Sequence, residues 1–497
     1  IESEGSVLNT GSADLTVEGV MALENGLMGS NGGSITFKSG ITQSGESKLE
    51  LLNSELVLGA DFSKNSGEII SSSSNLNLLN NVTLTSNSEL IFKQLNLNDL
   101  KLTLGSSDSD LEISSDLTID NSNEQILTGP ADFKLSGFLT ASSGVLSSTS
   151  GTISLLGGAQ LSGTGELDLT GSSFNFGGNL TKSGGTLTLS QTDFKLEKDS
   201  TLTSDESLSF VNLNLNDFKL TLGSRTSDLS IQNAILIDTV TEGISTGDAD
   251  LKLNNTLTLS EGLLDSSGGK FVFTEDFLKN SGTLSITQTD LELLGSIKIT
   301  TNDEVLNFES LNLNNFEITL GSETSDLTIQ NNVTIDSSTE GLVTESADFK
   351  LFGMINISNG TLSSSSGNIS LLGGGQITGT GIFDLSGSTW SLGGDFIKSA
   401  GTINTSETNL HLKANSSLTS NEPLNFIDLD LNDFALTLGS GTSDISVQSA
   451  VVIDTNTEAI ITGDSDLNLN ESINLSKGKI SSTAGNISFN SGGVITE

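Results

Sequence analysis

The sequence predicts an all-β protein, a parallel β-helix (β-solenoid) with about 20 residues per coil, about 25 coils and almost no helix. Three observations predict it. Apolar residues alternate with polar ones in runs of four to eight, as in Thr152 to Leu156, Glu166 to Thr170 and Thr186 to Ser190. Each run is followed by a cluster drawn from Gly, Ser, Asn, Asp and Thr, the residues that make turns. And one block recurs four times, at spacings that differ by a fixed step.

The block reads LNLNDLKLTLGS from Leu95, LNLNDFKLTLGS from Leu213, LNLNNFEITLGS from Leu311 and LDLNDFALTLGS from Leu429. The interval from Leu95 to Leu213 equals that from Leu311 to Leu429, while Leu213 to Leu311 is shorter. The front of each unit has fixed length: Phe133, Leu251, Phe349 and Leu467 all stand at the same offset from their own block. The variation lies behind them. The segment Ile153 to Ser172 has a partner from Ile369 to Ser388 and no counterpart in the short unit, and its length equals the shortfall. A closed barrel would lose strands from its wall if such a segment were removed. A solenoid loses one coil and heals, because each coil touches only its neighbours. A step of about 20 residues therefore marks one coil. The long and short intervals then read as six and five coils.

This gives one continuous solenoid over 1–497, built from units 1–94 (partial), 95–212, 213–310, 311–428 and 429–497 (partial). At ~4.8 Å per coil the rod would be roughly 120 Å long. Leu100, Phe218, Phe316 and Phe434 are expected to form an inward column. Asn214, Asn216, Asn312 and Asn314 are expected to stack amide on amide. Neither terminus reads as a polar cap, so the expected partners are further segments of the same polypeptide, or copies of the chain end to end.

Composition excludes several functions. Acidic residues number 62 against 20 basic, for a net charge of −42, and Arg225 is the single arginine. Binding to nucleic acid needs clustered Lys and Arg, so it is excluded. No apolar run approaches the ~20 residues of a membrane-spanning helix, so the chain is read as not membrane-spanning. With no Cys and one His, His411, neither a transition-metal cluster nor a Ser-His-Asp triad is supported. The lack of Cys suits an exported protein that folds without disulfides.

Carboxylates do recur in the turns after the blocks: Asp108 and Asp110, Asp228, Glu323 with Asp326, and Asp444. A glycosidase would place one unique pair in one groove, whereas these repeat in every unit. Asp108, Asp110, Asp228, Asp326 and Asp444 are therefore candidate calcium ligands, since hard cations take oxygen ligands at turns. No catalytic or cofactor-binding residue is assigned. Trp390 aligns with Phe174 at a core position, so it is not a stacking platform for sugars.

The strings GTGELDLTG (Gly163 to Gly171), GTGIFDLSG (Gly379 to Gly387) and SGGTLTLS (Ser183 to Ser190) resemble repeats of bacterial autotransporter passengers and filamentous-haemagglutinin-like adhesins. The resemblance implies a right-handed parallel β-helix, export to the bacterial cell surface and a role as an adhesin shaft or extracellular filament. The expected function is thus a structural rod. A glycan- or surface-binding face, assisted by calcium, is the second reading. A polysaccharide-degrading β-helix enzyme is the third.

Overall fold

A computed structural model describes residues 1, 5–302 and 304–496. The chain divides into two compact units, Ile1–Asp250 and Leu251–Glu497. Each is a parallel β-solenoid. Among the described residues there are 71 strands of two to five residues and no helix. With three strands to a coil, that makes about 24 coils of roughly 20 residues.

The first unit shows how the alternating sequence becomes a coil. Leu111–Ile113, Leu117–Ile119 and Gln125–Gly129 form one turn of the solenoid. Phe133–Leu135, Leu139–Ala141 and Val145–Ser148 form the next. Pairing is parallel and in register: Leu111 with Phe133, Leu117 with Leu139, Ile126 with Leu146. Alternate side chains point inward and stack on the equivalent residue one coil on. One such column runs Phe133, Ile153, Phe174, Phe194, Leu213. The first three are fully buried. Burying each such side chain stabilises by about 1.5–3 kcal/mol, which is why short strands with no helices to cover them suffice.

The extra segment is one complete coil. Thr152–Leu155, Ala159–Leu161 and Glu166–Asp168 supply its three strands, one for each face. Its partner in the second unit is Asn368–Leu371, Gly375–Ile377 and Ile382–Asp384.

The repeat unit, however, is not a whole number of coils. From Lys101–Leu104 in the first block to Lys219–Leu222 in the second is 17 strands, one short of six coils. Residue count concealed this, because the coil after each block is longer. Leu102 pairs back to Val82 and forward to Ile126, and the forward step takes more of the chain than the backward one. Successive copies of the block therefore sit on different faces. Lys101–Leu104 belongs to the ladder that continues through Gln125–Gly129 and Val145–Ser148. Lys219–Leu222 belongs to the ladder of Leu117–Ile119, Leu139–Ala141 and Ala159–Leu161, which runs beside the first. The second unit repeats the shift: Glu317–Leu320 and Ala435–Leu438 occupy different ladders, again 17 strands apart.

Two expectations fail locally. Leu100, Phe218, Phe316 and Phe434 are half-buried corner residues, not an inward column. In each block the residue donates its N–H to the carbonyl of the leucine that precedes the turn, as Phe218 does to Leu215 O at 2.9 Å. The intervening Asn216 and Asp217 have φ of 50° and 68°. Two consecutive positive-φ residues make a type I′ turn, which Asn and Asp tolerate. The turn breaks the alternation, so the aromatic residue lands at the corner while Leu215 and Leu220 stay inside. The four named Asn residues also do not stack amide on amide, although Asn233 Nδ2 donates to Asn212 Oδ1 and Asn490 Nδ2 to Asn470 Oδ1 in that way elsewhere. Asn214 Oδ1 accepts the N–H of Asn216, and Asn216 Nδ2 donates to Leu196 O in the preceding coil. Asn312 and Asn314 do the same, Asn314 reaching Leu293 O.

Candidate functional site

The polar side chains cluster at the block corners. The block needs its residues for structural reasons that can be read one by one. Leu95 and Leu97 fill the core. Asn98 and Asp99 make the turn, and Asn98 Nδ2 caps Leu78 O at 2.8 Å. The Asp99 N–H then points at a carboxylate contributed by the next coil: Glu124 Oε1, 3.3 Å away. The other oxygen, Glu124 Oε2, accepts the N–H groups of Asp120 and Asn121 at 2.8 and 3.3 Å. Glu242, Glu340 and Glu458 repeat this latch with Asp217, Asn315 and Asp433. All four carboxylates are buried. A buried charge is tolerable where fixed donors replace its water, as here. Gly105, one residue before the end of the block, must be small because a Cβ there would run into Thr85 Oγ1.

A second set of charged groups is buried about a coil and a half ahead of each block. Lys64, Lys182, Lys279 and Lys398 point inward, and each is at most 5% exposed. Their ammonium groups meet the loop of the following coil. Lys182 Nζ donates to Asp205 Oδ1 at 2.5 Å and lies 3.0 Å from Glu206 Oε1. Lys279 meets Glu304 Oε2 at 2.6 Å. Lys398 meets Asn421 Oδ1 at 2.5 Å and Glu422 Oε1 at 2.9 Å. Lys64 meets neutral partners there, Asn87 Oδ1 at 2.7 Å and Ser88 Oγ at 2.8 Å. The proton affinities follow. Burial pulls the Lys182 amine down, but the Asp205 and Glu206 carboxylates outweigh it and leave its pKa above the ordinary value. Burial alone acts at Lys64, and its pKa lies below the ordinary value.

The carboxylates expected to bind calcium take a third position. Asp110, Asp228, Asp326 and Asp444 each accept a backbone N–H from the next coil: Asp132, Asp250, Asp348 and Asp466, at 2.8 to 2.9 Å. Asp132 and Asp348 accept in turn from Thr152 and Asn368. Burial, helped by the Asp348 charge and opposed by the Asp348 N–H, holds Asp326 above the usual carboxylate range. Asp108 stands apart, exposed in its turn, and so does Glu323. The structure thus brings the aspartates together in pairs on adjacent coils. Among the described residues, no three His, Cys, Asp or Glu side chains gather in a way that could hold a metal ion.

Two polar clefts lie on different faces of the first unit, one beside the ladder of Ser34–Phe37, Glu55–Leu58 and Asn75–Leu78, the other beside that of Leu111–Ile113, Phe133–Leu135 and Thr152–Leu155. One of ≈ 340 Å³ is lined by Asp14, Ser34, Asn53, Glu55, Asn75 and Lys93. The Ser34 N–H and hydroxyl hold the Asp14 carboxyl below its usual range. The other, ≈ 370 Å³, includes Glu89, Asp110, Asp132, Lys134 and Asn175. His411 sits part-exposed on Asn409–Leu412, with Asp428 Oδ2 3.9 Å from Nε2. Trp390 is fully buried, as its alignment with Phe174 predicts. No helix among the described residues is long and apolar enough to cross a membrane.

The sequence reading missed both buried sets. A binary pattern assigns Lys and Glu to the surface. The available signal was position. Glu124, Glu242, Glu340 and Glu458 follow their block starts at one constant offset, and the four lysines precede theirs at an offset that varies by a single position. No protein-family model, no curated protein and no solved structure matches the chain.

Proposed function

We propose that the chain is a structural rod: the shaft of a bacterial cell-surface adhesin or extracellular filament, without catalytic activity. One observation carries this reading. The recurrent polar groups that chemistry would need are already engaged in joining coil to coil. The buried glutamates hold backbone N–H groups, the lysines hold the following loop, and the paired aspartates hold the next strand. Side chains engaged this way favour a load-resisting stack over a reaction centre. The acidic surface fits the same role, since like charge discourages edge-to-edge association of β proteins. Negative-stain electron microscopy tests it: the rod reading predicts slender particles of constant width, and compact globules would overturn it.

A second reading is favoured by the two polar clefts, which occupy equivalent places in successive repeats of the first unit. Acid, amide and hydroxyl groups at a regular spacing suit a glycan or surface ligand, with calcium between the carboxylates. A glycan array run with and without chelator separates the readings. Chelator-sensitive binding supports a binding face, and absence of binding in both arms supports the shaft alone.

A further inference from the structure

The four buried lysines differ in one chemical respect. Lys398 faces a carboxamide and a carboxylate at once. Its Nζ is 2.5 Å from Asn421 Oδ1, one C=O bond from the carbonyl carbon Cγ. Glu422 Oε1 is 2.9 Å from the same nitrogen. The lysine side chain is 2% exposed, while that of Glu422 is 48% exposed. Asn421 is fixed at both ends: its N–H donates to Lys398 O, and Nδ2 donates to Ser399 O at 3.2 Å. Glu422 is fixed by its N–H to Ser420 Oγ and by Ser420 Oγ donating to Glu422 O. An amine, an amide carbon and a proton carrier are thus held together before any reaction, which is how intramolecular reactions gain rate.

We propose that Lys398 and Asn421 form an isopeptide cross-link, with Glu422 as the catalytic residue that carries the proton. The step is balanced within the site. Lys398 Nζ gives a proton to Glu422 and attacks Asn421 Cγ with its lone pair. The Nζ–Cγ bond forms and the Cγ–Nδ2 bond breaks. Glu422 passes that proton to the departing nitrogen and then relays a second one from Nζ, so the nitrogen leaves as ammonium and Nζ keeps the single hydrogen of an amide. Nothing is oxidised or reduced, and no co-reactant is needed. The bond ties the strand Phe396–Lys398 covalently to the loop of the next coil. The proposal goes beyond the rod reading and does not depend on it.

The sibling sites show what sets this one apart. Lys64 has the carboxamide of Asn87, with the Ser88 hydroxyl where Lys398 has a carboxylate. Lys182 has two carboxylates, and joining an ammonium to a carboxylate expels water, an uphill step in water. Among the described residues, Lys398 is the buried lysine whose amine lies within hydrogen-bond reach of both a carboxamide and a carboxylate.

The test is the intact mass of the purified, denatured full chain, followed by peptide mapping. The expected result is a mass lower than that calculated from the sequence by one ammonia, with a branched peptide joining Lys398 to Asn421. Lys398→Arg, which keeps the cation but cannot make the bond, restores the calculated mass. Glu422→Gln abolishes the branched peptide. An unmodified wild-type mass overturns the proposal. So does loss of ammonia from Asn421 with the two peptides unlinked, which is internal cyclisation of the asparagine. A branched peptide that persists in Glu422→Gln overturns the proton-carrying role.

Discussion

Lys64 and Lys182 occupy the same place in the first unit and meet opposite chemistry. Both end a short strand, both turn inward and both reach the same loop of the following coil. At Lys182 that loop offers Asp205 and Glu206. At Lys64 it offers Asn87 and Ser88. The backbone is indifferent to the change, but the ammonium is not. With carboxylates the buried cation is compensated and its pKa rises; with neutral partners desolvation stands alone and the pKa falls. The difference teaches that the fold fixes where a charge is buried, while two loop residues decide whether it stabilises.

The buried anions extend the comparison to the opposite sign and the largest effect. Glu124 is compensated by backbone N–H groups that cannot move away. Glu124→Ala strands the donors of Asp99, Asp120 and Asn121, and the expected loss is about 2–4 kcal/mol by chemical denaturation. Next comes the comparison itself. Lys182→Met removes a compensated cation and should cost about 1–2 kcal/mol, whereas Lys64→Met should leave stability unchanged or raise it, because an apolar chain replaces an uncompensated one. Equal losses from both would break the account.

The alkaline pH dependence sharpens it. Lys64 has a folded pKa below the unfolded one, so its penalty is present at neutral pH and is relieved as pH rises through the folded value toward about 10.4. Lys182 has a folded pKa above the unfolded one. Its contribution is complete below about 10.4 and is lost as pH rises through the folded value. Melting-temperature differences between wild type and each Met variant should therefore diverge at neutral pH, a loss for Lys182→Met against none or a gain for Lys64→Met, and converge on the alkaline side.

Smaller effects follow. Grafting the acidic loop, Asn87→Asp with Ser88→Glu, should stabilise by about 1 kcal/mol at low salt, and salt should erase part of it. Trp390→Phe should change stability by less than about 1 kcal/mol. Phe fills the aligned position at Phe174, and the buried Trp390 Nε1 has no hydrogen-bond partner to lose, being packed edge-on to Phe383 and Phe396.

The fold was legible because its main signals are periodic in residues. Alternation exposed the strands, and the lack of a counterpart to Ile153–Ser172 in the short unit exposed the coil. What stayed hidden is periodic in strands. The coil from Leu102 to Ile126 is longer in sequence than the one from Val82 to Leu102, yet both hold three strands. One repeat therefore looked like six coils when it holds 17 strands. The rotation of the block from face to face could not be read without the ladders. Phe218 was misplaced for a related reason: a type I′ turn resets the inward and outward alternation, which residue type alone does not reveal. At the polar sites, Asp110 and its equivalents were found, but as capping groups for the next strand. Glu124 and Lys64 were overlooked, because charged residues are read as exposed unless partners are visible.

The central claim is that the fold is a stack whose unit of insertion is one three-strand coil. Two deletions, compared by thermal melting followed by circular dichroism, test it most directly. Removing Ile153 to Ser172 brings the strand of Phe174 onto that of Phe133 in register, and a cooperative melt with undiminished β signal per residue is expected. Removing only the first half of that segment leaves half a coil and throws every following strand onto the wrong face, so a broad transition at much lower temperature is expected. Equal folding of the two variants would contradict the account.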